Sequence, residues 1–360
     1  MSDRILVTGG AGFIGSHVCE QLTERGHEIW LLDSFDASSY PAEDKRRNIA
    51  EISGRSTLHV VEGDVRDTVL LAGLLSDVSF DAVVHLAARP GMRASVDDPD
   101  ASYDVNVRGT LRLLEAMNRH SVRRLTLASS TSVYGDGGAG PYSEEDDTGR
   151  PSSPEAAGKR AAELLAHVYH VTHGFSVHCL RLSGVYGPRQ RPDQEIHRLA
   201  RLLEAGDPVT VDDVRLGRDH VYVGDAAEAI RLSLEHFPEP KKSVYEIFNV
   251  TGPDCPSPHR LASELAAAMQ VTAVRLPADG ADVGGRCVSG DRARTVLGFE
   301  PEVGLERGVR LFADWIREQP TRLNGDRASP AVPMSDETVV PSGAGEGDRP
   351  PGDPPSSARS

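Results

Sequence analysis

The sequence predicts an α/β protein, a doubly wound parallel sheet with a smaller lobe at its C-terminal edge. Three observations predict it. From Arg4 onward, short β-branched runs alternate with longer helical stretches, the pattern of βαβ units feeding a parallel sheet covered on both faces. The turn TGGAGFIGSH stands between the first such run and the first helical stretch. The chain has 360 residues, 39% apolar and 26% charged, enough for a sizeable core in one large or two modest domains.

In chain order, strands are predicted at 4–8, 28–32, 57–62, 82–86, 124–129, 177–182 and 245–250, with helices between them. A single helix is read over 101–119, because Val105, Leu111, Leu114 and Met117 recur at roughly 3.6-residue spacing and give it one apolar side. After Gly187 the pattern changes to an Arg- and Pro-rich loop, a helix at 195–205 and irregular polar sequence. Further helices are read at 258–269 and 305–317. The predicted organisation is a sheet domain over 1–187, to which 220–252 returns, and a lobe from 188–219 and 253–321. Residues 322–360 are dominated by Pro, Gly, Ser and Asp and are expected to be disordered, since they bury too little apolar surface to offset the entropy of ordering.

With 39 basic and 54 acidic side chains the formal charge is −15, which argues against a general nucleic-acid or anionic-membrane surface. Any anionic ligand must be held locally. The longest apolar runs are too short to span a bilayer, and residues 1–14 lack the basic and extended apolar regions of a secretory signal. A cytoplasmic location is expected. Cys19, Cys179, Cys255 and Cys287 are scattered with no C-x-x-C pair, so packing or surface thiols are expected, with neither a disulfide framework nor a metal site.

Gly9, Gly12 and Gly15, with Phe13 and Ile14 among them, follow a strand and open a helix. Backbone amides and the helix N-terminus can there receive a pyrophosphate, as in a Rossmann-type fold. Asp33 ends the second strand, with Ser34 beside it, and can accept a ribose 2′-hydroxyl; an acid at that point repels a 2′-phosphate, favouring NAD over NADP. The bland alternative is an ordinary tight turn and a solvated acid. Asp64 and Val65 follow the third strand, and Leu86, Ala87 and Ala88 the fourth, on the ends where a dinucleotide lies.

Together with Asn106, these segments resemble the extended short-chain dehydrogenase/reductase family, its nucleotide-sugar epimerases and dehydratases, from about residue 5 to 316. The resemblance implies that Asp64 and Val65 contact adenine and that Leu86, Ala87 and Ala88 line the cofactor. It implies oxidation of a sugar carbon by NAD, while a tyrosine, lowered in pKa by a lysine four residues on, takes the hydroxyl proton and a serine or threonine assists. Ser130 in Ser129-Ser130-Thr131-Ser132-Val133-Tyr134-Gly135 matches the serine, and Lys159 matches the lysine. The tyrosine position reads Glu155.

That departure bears on mechanism rather than fold. A phenol of pKa ~10 needs a nearby cation to act as a base at neutral pH, whereas a carboxylate of pKa ~4.3 is ionised but weakly basic. Glutamate also reaches less far, so a bridging water or a shifted substrate is implied. Against a catalytic role, Ser153 can cap a helix starting at Pro154, with Glu155 in its first turn and Lys159 four residues on, an arrangement that stabilises a helix by itself.

On the substrate side, Gly187-Pro188-Arg189-Gln190-Arg191-Pro192-Asp193 resembles the corresponding loop of UDP-glucuronate 4-epimerases, as do the segment around Arg93 and the residues after Asp33. Arg218 matches the arginine that holds the substrate pyrophosphate. Guanidinium forks suit phosphate and carboxylate oxygens; the bland alternative is surface ion pairs with acids such as Asp193. Gly184 stands where relatives carry a threonine or asparagine touching the sugar, which removes one side-chain hydrogen bond. Thr131 and Ser132 stand where dehydratases and decarboxylases carry acids, so 4-epimerisation through a 4-keto sugar ranks first. A β-keto acid intermediate must be kept from losing carbon dioxide, and Thr131, Ser132 and Arg191 are the candidates for holding its carboxylate. The alternatives are a dehydratase or other 4-keto-forming enzyme, and a catalytically weak NAD and sugar-nucleotide binding protein. Relatives pair through two helices per subunit, so a homodimer through the helices near 101–119 and 155–172 is expected.

Overall fold

The computed structural model describes residues 2–38, 41–135, 140–205, 219–239, 242–271 and 287–319. Arg218 and the 322–360 tail therefore lie outside the described residues.

Seven strands form one parallel sheet in the order β3-β2-β1-β4-β5-β6-β9: β1 (Arg4–Thr8), β2 (Glu28–Asp33), β3 (Leu58–Glu62), β4 (Ala82–His85), β5 (Arg124–Ser130), β6 (Ser176–Leu182) and β9 (Tyr245–Val250). All seven match the predicted strands to within a residue. Their apolar runs are continuous because both faces are covered. One face packs Val18 and Leu22 of α1 (Phe13–Glu24) and Ile230 of α9 (Val223–Glu235) against Ile5, Val7, Ile29 and Leu31. The other packs Leu71 of α3 (Thr68–Asp77), Leu113 and Met117 of α6 (Thr110–Arg119) and Ala162 and Ala166 of α7 (Pro154–His173) against Leu6, Val83 and Leu125. Chain order reverses between β1 and β4, so the crevice for a ligand lies beyond their C-terminal ends.

The expected single helix over 101–119 is instead α5 (Pro99–Tyr103), a π-helical turn at Asp104–Gly109, and α6. The apolar spacing is right, but it carries no information on the i→i+5 turn. Such turns cluster at functional sites, and this one holds Asn106. Two three-residue strands, β7 (Gly184–Tyr186) and β8 (His220–Tyr222), pair in parallel and are too short to leave a period. A third apolar cluster joins Leu199 and Leu203 of α8 (Glu195–Ala205), Leu261 and Leu265 of α10 (Pro258–Ala268), and Val309 and Phe312 of α12 (Leu305–Glu318) around Tyr186.

The cysteine expectation is corrected. Cys255 and Cys287 form a disulfide, while Cys19 and Cys179 are buried free thiols. No spacing motif marks the pair, because the fold alone brings the segment after β9 beside residue 287. Among the described residues, no helix is long and apolar enough to cross a membrane.

Candidate active site

The glycine turn is dictated by close approaches. Gly9 has φ +71°, and a Cβ on it would lie 2.7 Å from the Ala87 nitrogen, so the Leu86 and Ala87 backbone passes directly against it. A Cβ on Gly15 would meet the Gly9 carbonyl at 2.2 Å, whereas one on Gly12 would meet only that carbonyl, at 3.1 Å. The remaining side of Gly12 is open for a ligand to approach the backbone. Gly12 is the N-cap of α1 and offers no side-chain cap, leaving first-turn amides for an anion. Phe13 and Gly15 are buried and Ile14 half-buried.

Asp33 is buried, and its carboxylate already accepts from the amides of Ala11 (3.2 Å) and Phe35 (2.9 Å) and from Lys45 Nζ (3.1 Å). A carboxylate has about four acceptor positions, so one remains for a ribose hydroxyl. Lys45 went unread in the sequence, although its charge twelve residues past the strand end was visible. Ser34 is exposed and accepts from the Asp36 amide. Arg66 holds Asp64 below the usual carboxylate range, and Val65 is buried beside it.

Asn106 is buried, and its amide is committed to the Arg89 backbone: Oδ1 accepts from the Arg89 nitrogen at 2.7 Å and Nδ2 donates to the Arg89 carbonyl at 3.1 Å. It thereby ties the π-turn to the loop after Leu86, Ala87 and Ala88. A buried relay runs alongside. Thr110 Oγ1 donates to the Asn106 carbonyl, so it must accept from His85 Nε2 at 3.0 Å. His85 Nδ1 then accepts from Thr8 Oγ1 at 2.7 Å. Burial first, and the charge of Lys159 second, push the His85 pKa down to about 3, which keeps this ring neutral.

Ser130 ends β5 and caps a 3₁₀ turn, Thr131–Tyr134, its Oγ accepting from the Ser132 amide at 3.1 Å. The cap uses a lone pair and leaves the hydroxyl proton to donate. The Ser132 hydroxyl is buried with no hydrogen-bond partner, and Thr131 is half-buried beside it. Lys159 Nζ donates to the Ala128 carbonyl at 2.8 Å. Burial lowers its pKa, while Glu155 and, less strongly, Glu163 oppose the shift.

Ser153 caps α7 as expected, accepting from the Ala156 amide at 3.1 Å. The Glu155–Lys159 ion pair of the bland reading does not form among the described residues, because Lys159 points to β5 instead. Glu155 is half-buried, its amide donating to Ser95 Oγ at 3.2 Å. The sequence reading also missed Glu163, which is fully buried one turn beyond Lys159 and paired with Arg181 and Arg160. Its i+4 spacing from Lys159 was the available signal.

Arg191 and Arg189 are held by acids. Arg191 grips Asp193 with both Nε (2.9 Å) and Nη2 (2.8 Å). Arg189, in the left-handed region at φ +66°, pairs with Glu20 of α1 at 2.9 Å. Arg93 is exposed on α4 (Met92–Asp97); a Cβ on the preceding Gly91 would lie 3.8 Å from Asp193 Oδ2, so this segment and the arginine loop meet. Gly184 has a packing reason of its own. A Cβ there would lie 2.9 Å from His220 Cδ2 and 3.1 Å from the Asp219 carbonyl.

Residues 5–251 match the NAD dependent epimerase/dehydratase family. A UDP-glucuronate 4-epimerase of Thermodesulfobacterium geofontis is 34% identical over 317 residues, 87% of this chain and 96% of that protein. The crystal structure of a Bacillus cereus UDP-glucuronic acid 4-epimerase in complex with UDP-glucuronic acid and NAD superposes with TM-score 0.77 at 31% identity, covering 87% of this chain and 99% of that one. A Streptomyces venezuelae dTDP-glucose 4,6-dehydratase double mutant with NAD bound gives TM-score 0.76 at 31% identity, over 88% and 97% of the two chains. A match of that extent, on a fold whose strand ends carry the glycine turn, Asp33 and Ser130, with Lys159 of α7 bonded to the Ala128 carbonyl of β5, establishes that this chain belongs to the NAD-dependent epimerase/dehydratase family.

Proposed function

We propose that the chain is an NAD-dependent UDP-sugar 4-epimerase, acting on UDP-glucuronate or a related UDP-sugar through a 4-keto intermediate. The observation that carries this reading is the seating of Lys159 on the Ala128 carbonyl beside Ser130, at the sheet edge where the glycine turn opens. Gly9, Gly12, Gly15 and Asp33 fit a dinucleotide by their close approaches and remaining acceptor position. When bound, NAD supplies the reversible oxidation of the sugar C4 carbinol. Ser130 donates a hydrogen bond to the C4 oxygen, Lys159 supplies positive charge next to it, and Glu155 accepts the proton through a bridging water. The orphan Ser132 hydroxyl, Thr131 and Arg191 orient the sugar's carboxylate. Arg93, Arg189 and Arg218 are assigned to the anionic substrate, and Gly184 to the sugar-facing edge.

Incubation with UDP-glucuronate and NAD, followed by chromatography and mass measurement, tests the reading. A separated product of unchanged mass supports it; loss of water means dehydration, and loss of carbon dioxide means decarboxylation. Glu155 at the proton-accepting position favours one other reading, a weakly catalytic NAD and sugar-nucleotide binding protein. Tight binding of both ligands without isotope exchange would select it.

The homodimer belongs to the same proposal. Leu164, Val168 and Val171 on α7 are 51%, 51% and 67% exposed, an apolar stripe at i, i+4 and i+7. Changing Val168 to glutamate should convert a dimer to a monomer in sedimentation; a chain that sediments as a monomer from the start would refute the pairing. We place the protein in the cytoplasm, where nucleotide sugars and NAD are available.

A further inference from the structure

Glu163 is 0% exposed, and a carboxylate so buried persists only with partners. It has three. Arg181 Nε and Nη2 reach its two oxygens at 3.0 and 2.9 Å, Arg160 Nη1 lies at 2.9 Å, and Ser129 Oγ donates at 2.5 Å. Arg181 is itself buried, and its Nη1 donates to Tyr134 Oη at 2.9 Å, which donates onward to Asn249 Oδ1 at 2.7 Å. The network therefore joins α7, β5, β6, β9 and the 3₁₀ turn after Ser130. Two of its tie points flank the reaction machinery: Ser129 immediately precedes Ser130, and Glu163 stands one helical turn from Lys159.

We propose that Glu163 is a positioning residue: by gripping Ser129 it fixes the 128–130 end of β5 against α7, so that the Lys159 ammonium keeps its seat on the Ala128 carbonyl and Ser130 stays beside it. The proposal rests on the epimerase reading only for its kinetic consequence. Electrostatics support the geometry. The charged groups acting on Lys159 are Glu155 and Glu163 from its own helix; His85 of β4, which feels the Lys159 charge, is neutral. Burial pushes the Lys159 pKa down and both acids oppose it. Glu163 thus adds charge as well as placement, damped by its two arginines.

The test reads Lys159 in the apo chain, with pulsed acetylation across pH followed by peptide mass spectrometry and exposed Lys242 as the internal reference. In Glu163→Gln the Lys159 labelling midpoint should fall by about half a pH unit, since the variant loses an opposite charge nearby. In Ser129→Ala, which keeps the arginine pairs, the high-pH labelling plateau should rise about threefold as the neutral amine leaves its hydrogen bond to the Ala128 carbonyl. With substrate, Ser129→Ala should lower kcat with KM little changed, and Ser129→Thr should restore most of the loss. An unchanged midpoint in a folded Glu163→Gln, or an unchanged plateau in Ser129→Ala, overturns the proposal. If Glu163→Gln does not fold, the Ser129→Ala plateau decides. If the wild-type chain shows no turnover but the two variants still show these labelling shifts relative to it, the epimerase reading fails and the positioning role stands.

Discussion

Glu155 occupies the place where the family resemblance expects a phenol, and the structure leaves it half-buried at the start of α7 with Lys159 turned away towards Ala128. In the proposed reaction, a carboxylate in place of the phenol is a weak base, which implies slow chemistry rather than weak binding. Glu155→Tyr should therefore raise kcat, on the order of tenfold or more given the usual worth of general-base catalysis, with KM much less affected. A loss of activity would instead reveal a mechanism dedicated to glutamate. The fork of Arg191 is engaged by Asp193, so in its proposed role a sugar carboxylate competes with that acid. Arg191→Ala should raise KM for acidic sugar nucleotides about 10- to 100-fold, the worth of a hydrogen bond to a charged group, and change neutral ones far less. Equal losses would remove its proposed role. Glu155, the arginines and the glycines were all legible as residues, and Asp193 was legible as a partner two positions from Arg191; Glu20 was not, because only tertiary packing brings it to Arg189 across 169 residues of sequence.

At the scale of elements, the parallel sheet was readable because each strand is buried on both faces and leaves a continuous apolar run. Helix α8 was read to its observed ends, and its buried Ile196, Leu199, Ala200 and Leu203 show why. The π-turn at Asp104–Gly109, the β7 and β8 pair and the disulfide were not readable. Each depends on a local backbone choice or a long-range approach that no periodicity encodes. The disulfide spans 32 residues of sequence, and closing a loop of that length restricts the unfolded chain by about 3–4 kcal/mol. A dithiol reductant should lower the melting temperature by several degrees, and Cys255→Ser should make the chain insensitive to it. Equal melting with and without reductant in the unmutated protein would contradict this.

For the whole molecule, buried histidines set the response to acid. His85 and His178 are held neutral, with pKa pushed down by burial to about 3 and about 4. Unfolded, each titrates near the ordinary value of about 6.5, so below that pH the unfolded chain binds protons that the native state refuses. The stability tied to each is complete above about 6.5 and falls by about 1.4 kcal/mol per pH unit until its native pKa is reached. Asp219 acts oppositely. Burial raises its pKa to about 6, so its contribution is complete below the ordinary carboxylate value, is lost as pH rises through 6, and offsets one histidine between about pH 4 and 6. The urea midpoint should therefore fall between pH 7 and pH 5. A flat or rising midpoint would mean these rings are not held neutral. Such burial could not be assigned from sequence, since His85 and His178 look like any strand histidine.

In the proposed function, a nicotinamide cofactor and a UDP-sugar meet over Ser130, Glu155 and Lys159. That arrangement is tested most directly by turning over UDP-glucuronate deuterated at C4 with unlabelled NAD. A C4 epimer that keeps the deuterium is expected, because the atom removed is returned to the same sugar. A product without the label, or no epimer while NAD and sugar nucleotide both bind, would contradict it.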